Sequence, residues 1–190
     1  IKLVSSGYTE GFYYKPRIDK ELLQKYHEGI ICLSACIAGE IPRSLLQDNK
    51  EKAEALVQEY LSIFGKDNFF LEIQNHGLPE ERKSNAGLIE LARKYDVGLV
   101  ATNDCHYVRR EDSEFHDILL CIQMGKTVDD PDRMRFNSDD YYLKSPAEMA
   151  ALFPEYPDAI INTAKIAARC QVDFEFGHIQ LPFYPIPPTY

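Results

Sequence analysis

Three short apolar runs punctuate the first 102 residues: GIICLSA at 29–35, NFFLEIQ at 68–74 and VGLVAT at 97–102. Each is bounded by turn residues and has the length of a strand buried on both faces. Between them the apolar positions recur at helical spacing. DKELLQKYHE begins at the capping residue Asp19, and NKEKAEALVQEYLSIF begins at Asn49 and stops before Gly65. LPEERKSNAGLIELARKY has Pro79 and two glutamates in its first turn and basic residues in its last, which suits the helix dipole. Strand and helix in alternation predict an α/β fold, a parallel sheet or barrel joined by right-handed crossovers. The residues before Asp19 read as an irregular start.

The pattern changes after the REDSEFHDILLCIQMG helix, which is expected from about Asp112. KTVDDPDRMRFNSDD is polar and reads as an excursion loop, YYLKS as a short strand, and SPAEMAALFP and YPDAIINTAKIAARC as helices starting at Ser145 and Pro157. The Pro-rich LPFYPIPPTY cannot continue a helix and reads as a linker.

Composition narrows the class. With 190 residues and 45% apolar content the chain can bury one sizeable core. Its net charge of −9 argues against a free-standing duplex-binding clamp, whose affinity comes from neutralising phosphates. Carboxylates that hold divalent metals remain compatible with that acidity. The five cysteines are odd in number and widely spaced, which fits reduced thiols rather than a disulfide framework. The start at Ile1 has no signal-peptide pattern and no run is apolar enough to span a membrane. A segment of a longer cytoplasmic protein, without a membrane partner, is the expectation. Open strand edges in such a segment predict association or poor solubility.

In a parallel β/α layout, functional groups collect at the carboxyl ends of the strands. The first run delivers Ser34 and Cys36, the second Glu72, Asn75 and His76, and the third Asn103, Asp104 and His106. Asp104-x-His106 is the sharpest pattern: in extended backbone alternate side chains point the same way, so a carboxylate and an imidazole two apart can reach one ion. Cys105 then faces away as a small buried apolar group. Cys36 could add a thiolate, favouring Zn²⁺ or another soft ion. The same spacing suits a turn aspartate and a hydrogen-bonded core histidine equally well. A helix-entry turn accounts for His76, mid-strand Glu72 could face either way, and His116 fits a structural role on its helix beside Phe115 and Ile118. Three ligands are too few for a multinuclear hydrolytic site.

Four blocks carry a resemblance: EGIICLSACIAGEIPRSLL, FFLEIQNHGLPEE, VGLVATNDCHYVRREDSEFHDILLCIQ and DDPDRMRFNSDDYYLKSPAEMAALFP. In unbroken order, from about Ile1 to Pro182, they resemble the PHP domain family in the branch carried by alpha subunits of bacterial replicative DNA polymerase III. The resemblance implies part of a distorted seven-stranded β/α barrel, with a helical C-terminal extension. It divides the chain into the C-terminal portion of the PHP domain at 1–177 and a linker toward the polymerase palm at 178–190. It implies a multinuclear centre of Zn²⁺ or Mn²⁺ to which Cys36, Asp104 and His106 contribute, with His76 and Glu72 lining the site. The family's early H-x-H ligands and the palm aspartates do not occur in this sequence. The implied activities are DNA-directed DNA polymerisation, supported by Mg²⁺, and a 3′–5′ exonuclease or phosphoesterase centre. The implied partners are primer–template DNA, deoxynucleoside triphosphates, a sliding clamp and a proofreading exonuclease. The alternatives are a scaffold that braces the polymerase and docks a proofreading subunit, and a small-molecule phosphatase of the same superfamily.

Overall fold

Three parallel strands form within the three apolar runs: β1 (Cys32–Leu33), β2 (Phe69–Ile73) and β3 (Gly98–Ala101), in the order β1-β2-β3. The computed structural model describes residues 1–179, 181–183 and 185–186. Cys32 pairs with Phe69, and β2 pairs with β3 from Phe70↔Gly98 to Ile73↔Ala101. The strands are shorter than the runs. Around β1, Gly29 (φ 76°) and Ala35 (φ 64°) adopt left-handed backbone, which ends extended pairing on either side.

The helices follow the chain in order. α1 (Lys2–Thr9) and α2 (Lys20–Lys25) precede β1, α3 (Glu40–Leu46) and α4 (Lys50–Phe64) lead to β2, and α5 (Pro79–Tyr95) leads to β3. A 3₁₀ turn (Arg110–Asp112), α6 (Ser113–Met124), α7 (Pro146–Leu152) and α8 (Pro157–Arg169) complete the set among the described residues. Their starts are chemical. The Asp19 carboxylate accepts from the Leu22 N–H at 2.8 Å and the Asn49 side chain from the Lys52 N–H at 3.0 Å. Ser145 and Glu148 form a reciprocal capping box on α7. α4 ends at Gly65 (φ 73°), a conformation that favours glycine.

Two helices depart from the sequence expectation. α1 occupies part of the stretch expected to be irregular; it has no side-chain cap and carries Gly7, so it lacks the usual start signature. α3 contains Pro42, which sits in the first turn, where its missing N–H has no intrahelical partner to lose.

The core gathers on one face of the sheet. Phe69, Leu71 and Ile73 are completely buried with Ala53 and Val57 of α4 and Leu88 of α5, joined by Ile41, Phe153 and Ala159. Phe70 and Glu72, which alternate with them, are half-buried. The expectation of strands buried on both faces therefore fails for β2: its run is apolar, but only alternate residues reach the core. Tight packing at Gly87 holds α3 against α5, since a Cβ there would meet the Leu45 side chain at 2.8 Å.

A closed barrel is not seen among the described residues. The outer edge of β3 is partly covered by α8, whose Asn162 Nδ2 donates to the Leu99 carbonyl at 2.8 Å. Arg169, at the end of α8, donates to the Asp67 carbonyl at 2.6 Å and to the Asn68 side chain, tying the C-terminal helices to the turn before β2. The expected short strand at YYLKS is reduced to one parallel bridge, Tyr107↔Tyr142. Of the expected linker at 178–190, residues 180, 184 and 187–190 lie outside the described residues. No described helix is long and apolar enough to cross a membrane.

Candidate functional site at the strand ends

Parallel pairing puts the carboxyl ends of β1, β2 and β3 at one end of the sheet, so Ser34 to Cys36, Gln74 to His76 and Thr102 to His106 open from the same edge. The first two strand ends are tied by side chains. The Glu72 backbone N–H donates to Ser34 Oγ at 2.8 Å. The Glu72 carboxylate accepts from Gln74 Nε2 at 3.1 Å and from the Thr102 hydroxyl. Glu72 also lines, with Cys36 and Glu81, a narrow crevice between the strand ends and α5. Burial, reinforced by the charge of Glu72, pushes the Cys32 thiol up to about 11, so it stays protonated.

His76 is buried to 3% exposure and both ring nitrogens are engaged. Nδ1 faces Glu81 Oε1 at 2.5 Å and Nε2 faces the Asn103 carbonyl at 2.8 Å. The His76 backbone N–H donates to the other Glu81 oxygen at 2.6 Å. Two acceptors opposite two nitrogens are satisfied only by the imidazolium. Burial opposes that charge, but the Glu81 carboxylate and the Asn103 carbonyl outweigh it, and the His76 pKa is raised. Glu81 is correspondingly lowered, burial again being outweighed by the bonds from His76. His76 therefore borders the site with both ring nitrogens already engaged.

His106 is arranged in the opposite way. Its Nδ1–H donates to the Asp104 carbonyl at 2.6 Å, which leaves Nε2 as the lone-pair nitrogen. A backbone carbonyl that fixes the tautomer is the usual support of a metal-binding imidazole. Asp104, Cys105 and His106 are all exposed, and Cys36 is half-buried. The backbone is not extended here as expected. Asp104 has φ 43°, so the alternation argument for a shared direction does not apply, and Cys105 is turned out with its thiol 3.6 Å from the Tyr142 carbonyl. A left-handed residue at the strand end breaks the two-residue period that the sequence pattern assumed.

The segment after the polar loop completes the site. The Asn103 Nδ2 donates to the carbonyls of Asp140 at 2.9 Å and Tyr142 at 2.7 Å, and the His106 N–H donates to the Tyr141 carbonyl at 2.8 Å. Lys144, whose side chain is 3% exposed, donates from Nζ to Asn103 Oδ1 at 3.1 Å and to the Asp140 carbonyl. Arg110 grips the same segment through Asp139 and Asp140, each at 2.7 Å. The Tyr141 ring then stacks on His76 at 3.9 Å and meets His106 edge-on at 5.4 Å. His116, expected to play a structural role on its helix, is half-buried while Phe115 and Ile118 stay exposed, and its ring lies 5.3 Å from His106. Its pKa is lowered, by burial first and then by the neighbouring His106. Tyr141 and Lys144 escaped the sequence analysis; their only trace is the YYLKS segment read as a short strand.

Among the described residues, no three of His, Cys, Asp and Glu converge tightly enough to hold a metal ion. His106 fits a metal through its tautomer and exposure, and Asp104 lies two residues away. Cys36 opens from the same edge of the sheet, after β1, and lines the crevice with Glu72 and Glu81. Among the described residues these side chains do not form a closed site.

A family model described as PHP domain matches residues 1–76. Over 98% of its length the chain is 51% identical to DNA polymerase III subunit alpha of Thermus aquaticus, of which it covers 16%. It is 51% identical over 97% of its length to the protein of the same name from Treponema pallidum (strain Nichols), again covering 16% of it. For the Deinococcus radiodurans protein the identity is 44% over 98% of the chain and 14% of the relative. The chain thus spans 14–16% of the length of these relatives.

Proposed function

The chain is a PHP-domain segment homologous to bacterial DNA polymerase III alpha subunits, and from that premise we propose that it works as part of a replicative DNA-directed DNA polymerase. The observation that carries this reading is the 51% identity over 98% of the chain, which takes in every strand end described above. On this reading the three-stranded sheet is part of a seven-stranded β/α barrel completed by other residues of the protein. Residues 1–177 belong to the PHP domain and 178–190 lead toward the polymerase palm. The setting is the bacterial cytoplasm. Primer–template DNA, deoxynucleoside triphosphates with Mg²⁺, a sliding clamp and a proofreading exonuclease are the partners.

Asp104, His106 and Cys36 are this chain's share of a metal centre of Zn²⁺ or Mn²⁺ that acts on 3′-terminal phosphodiesters, with Glu72 and His76 at its border. The tautomer of His106 supports its assignment. The other donors come from elsewhere in the protein, since three side chains cannot hold two or more ions. The test is 3′–5′ hydrolysis of labelled primer–template by the full-length protein. Asp104→Asn is expected to abolish hydrolysis while leaving primer extension intact. Unchanged hydrolysis in a metal-loaded Asp104→Asn protein would overturn the assignment.

A second reading, a scaffold that braces the polymerase and docks a proofreading subunit, is favoured by one observation: His76 is spent on a buried ion pair with Glu81 rather than kept free. It predicts that loss of Asp104 and His106 together leaves replication unchanged.

A further inference from the structure

Among the described residues the hydroxyl of Tyr141 and the buried hydroxyl of Tyr107 have no hydrogen-bond partner, unlike those of three other anchored tyrosines. The hydroxyls of Tyr60, Tyr95 and Tyr142 donate to Glu40, Glu54 and Glu148. The Tyr141 hydroxyl makes no hydrogen bond among the described residues, although its ring is held on several sides. It stacks on the His76 imidazolium at 3.9 Å with an interplanar angle of 12°, a cation against an aromatic face. His106 at 5.4 Å and Phe136 at 4.7 Å meet it at 89° and 62°. Its backbone is registered on the strand end by the bond from the His106 N–H and by Asn103, which grips the carbonyls on either side. A ring so fixed cannot swing its hydroxyl away to find a protein partner.

The hydroxyl lies among the groups of the candidate site. The Tyr141 ring is stacked on His76 and edge-on to His106 at the strand-end edge, and a tyrosine O–H, ordinarily protonated up to about pH 10, is a neutral hydrogen-bond donor near neutral pH.

We propose that Tyr141 is a substrate-contacting residue: its O–H, held by the His76 stack and the Asn103 clamp, donates a hydrogen bond to a phosphate oxygen of the nucleotide bound at the Asp104–His106 end of the sheet. This rests on the phosphodiester-directed reading of the site and deepens it. The contact is a single neutral O–H to an anionic oxygen, a bond whose removal weakens binding about ten-fold or more.

The experiment is calorimetric titration of thymidine 5′-monophosphate into the full-length, Zn²⁺-loaded protein and its Tyr141→Phe variant. Phenylalanine keeps the ring, the stack and the edge contacts and removes only the hydroxyl. Metal content and the His106 ring-nitrogen NMR shifts are expected to be unchanged, while the dissociation constant rises about ten-fold. Wild-type binding matched within two-fold by Tyr141→Phe overturns the role of the hydroxyl and leaves the site reading standing. Absence of binding by the wild type overturns the site reading and this inference with it. A Tyr141→Phe protein that loses metal overturns the inference as well, because the hydroxyl would then serve the ligands rather than the nucleotide.

Discussion

Replacing Glu81 tests the buried pair on which the strand-end architecture rests. The His76 side chain is 0% exposed and that of Glu81 5%, so neither charge is shared with water. Glu81 accepts from the His76 ring at 2.5 Å, from the His76 backbone at 2.6 Å and from the Leu78 N–H at 3.4 Å. Removing one member of such a pair strands the other, at a cost of about 3–5 kcal/mol. Glu81→Ala is expected in that range. Glu81→Gln costs less, about 1–3 kcal/mol, because a neutral His76 can accept at Nδ1 from the new amide and still donate from Nε2 to Asn103.

The two substitutions also change the pH dependence. The raised His76 pKa contributes stability that is complete below its unfolded value near 6.5 and is lost as pH rises through the folded value. The lowered Glu81 pKa contributes stability that is complete above 4.5 and is lost as pH falls through its folded value. Wild type and Glu81→Gln should therefore differ most between about pH 4.5 and 6.5, and the gap should narrow at higher pH. Urea unfolding at pH 5.5, 7 and 8.5 reads this directly. A gap that stays constant across the three, or an Glu81→Ala cost below about 1 kcal/mol, refutes the charged pair.

Two further perturbations address how the site is held. Lys144→Met leaves Asn103 Oδ1 and the Asp140 carbonyl without their buried donor, at about 2–3 kcal/mol, and should speed amide exchange at Tyr141 and His106 while leaving β2 protected. Unchanged exchange there would show that Arg110 alone suffices. Asn162→Leu removes the donor on the outer edge of β3 and should raise self-association in sedimentation velocity, since an uncovered edge invites strand pairing; a sedimentation profile identical to wild type would show that the edge needs no cover.

The strand ends were legible because their signals are local. Apolar runs bounded by turns located all three strands, and Asp19, Asn49 and Ser145 announced their helices through capping chemistry. Whether a strand is covered on one face or two depends on what packs against it, and Phe70 and Glu72 look no different in sequence from residues of a doubly covered strand. The direction of Asp104 was lost to a single left-handed residue, which an alternation rule cannot see. His76 was equally opaque. Its fate is decided by Glu81 five residues on and by the Asn103 carbonyl from another strand end. Tyr141 and Lys144 come to the site across the polar loop by contacts with Asn103 and His106, and nothing in their spacing carries that information.

Metal content of the full-length protein measures the central assignment most directly. Elemental analysis of the wild type and of Asp104→Asn/His106→Asn, purified side by side without chelator, compares the two. The account predicts bound Zn²⁺ or Mn²⁺ in the wild type and at least one ion fewer in the double variant, with the fold retained by circular dichroism. Equal metal in both proteins, or none in either, would contradict it and leave Asp104 and His106 as residues of a strand end kept for architecture.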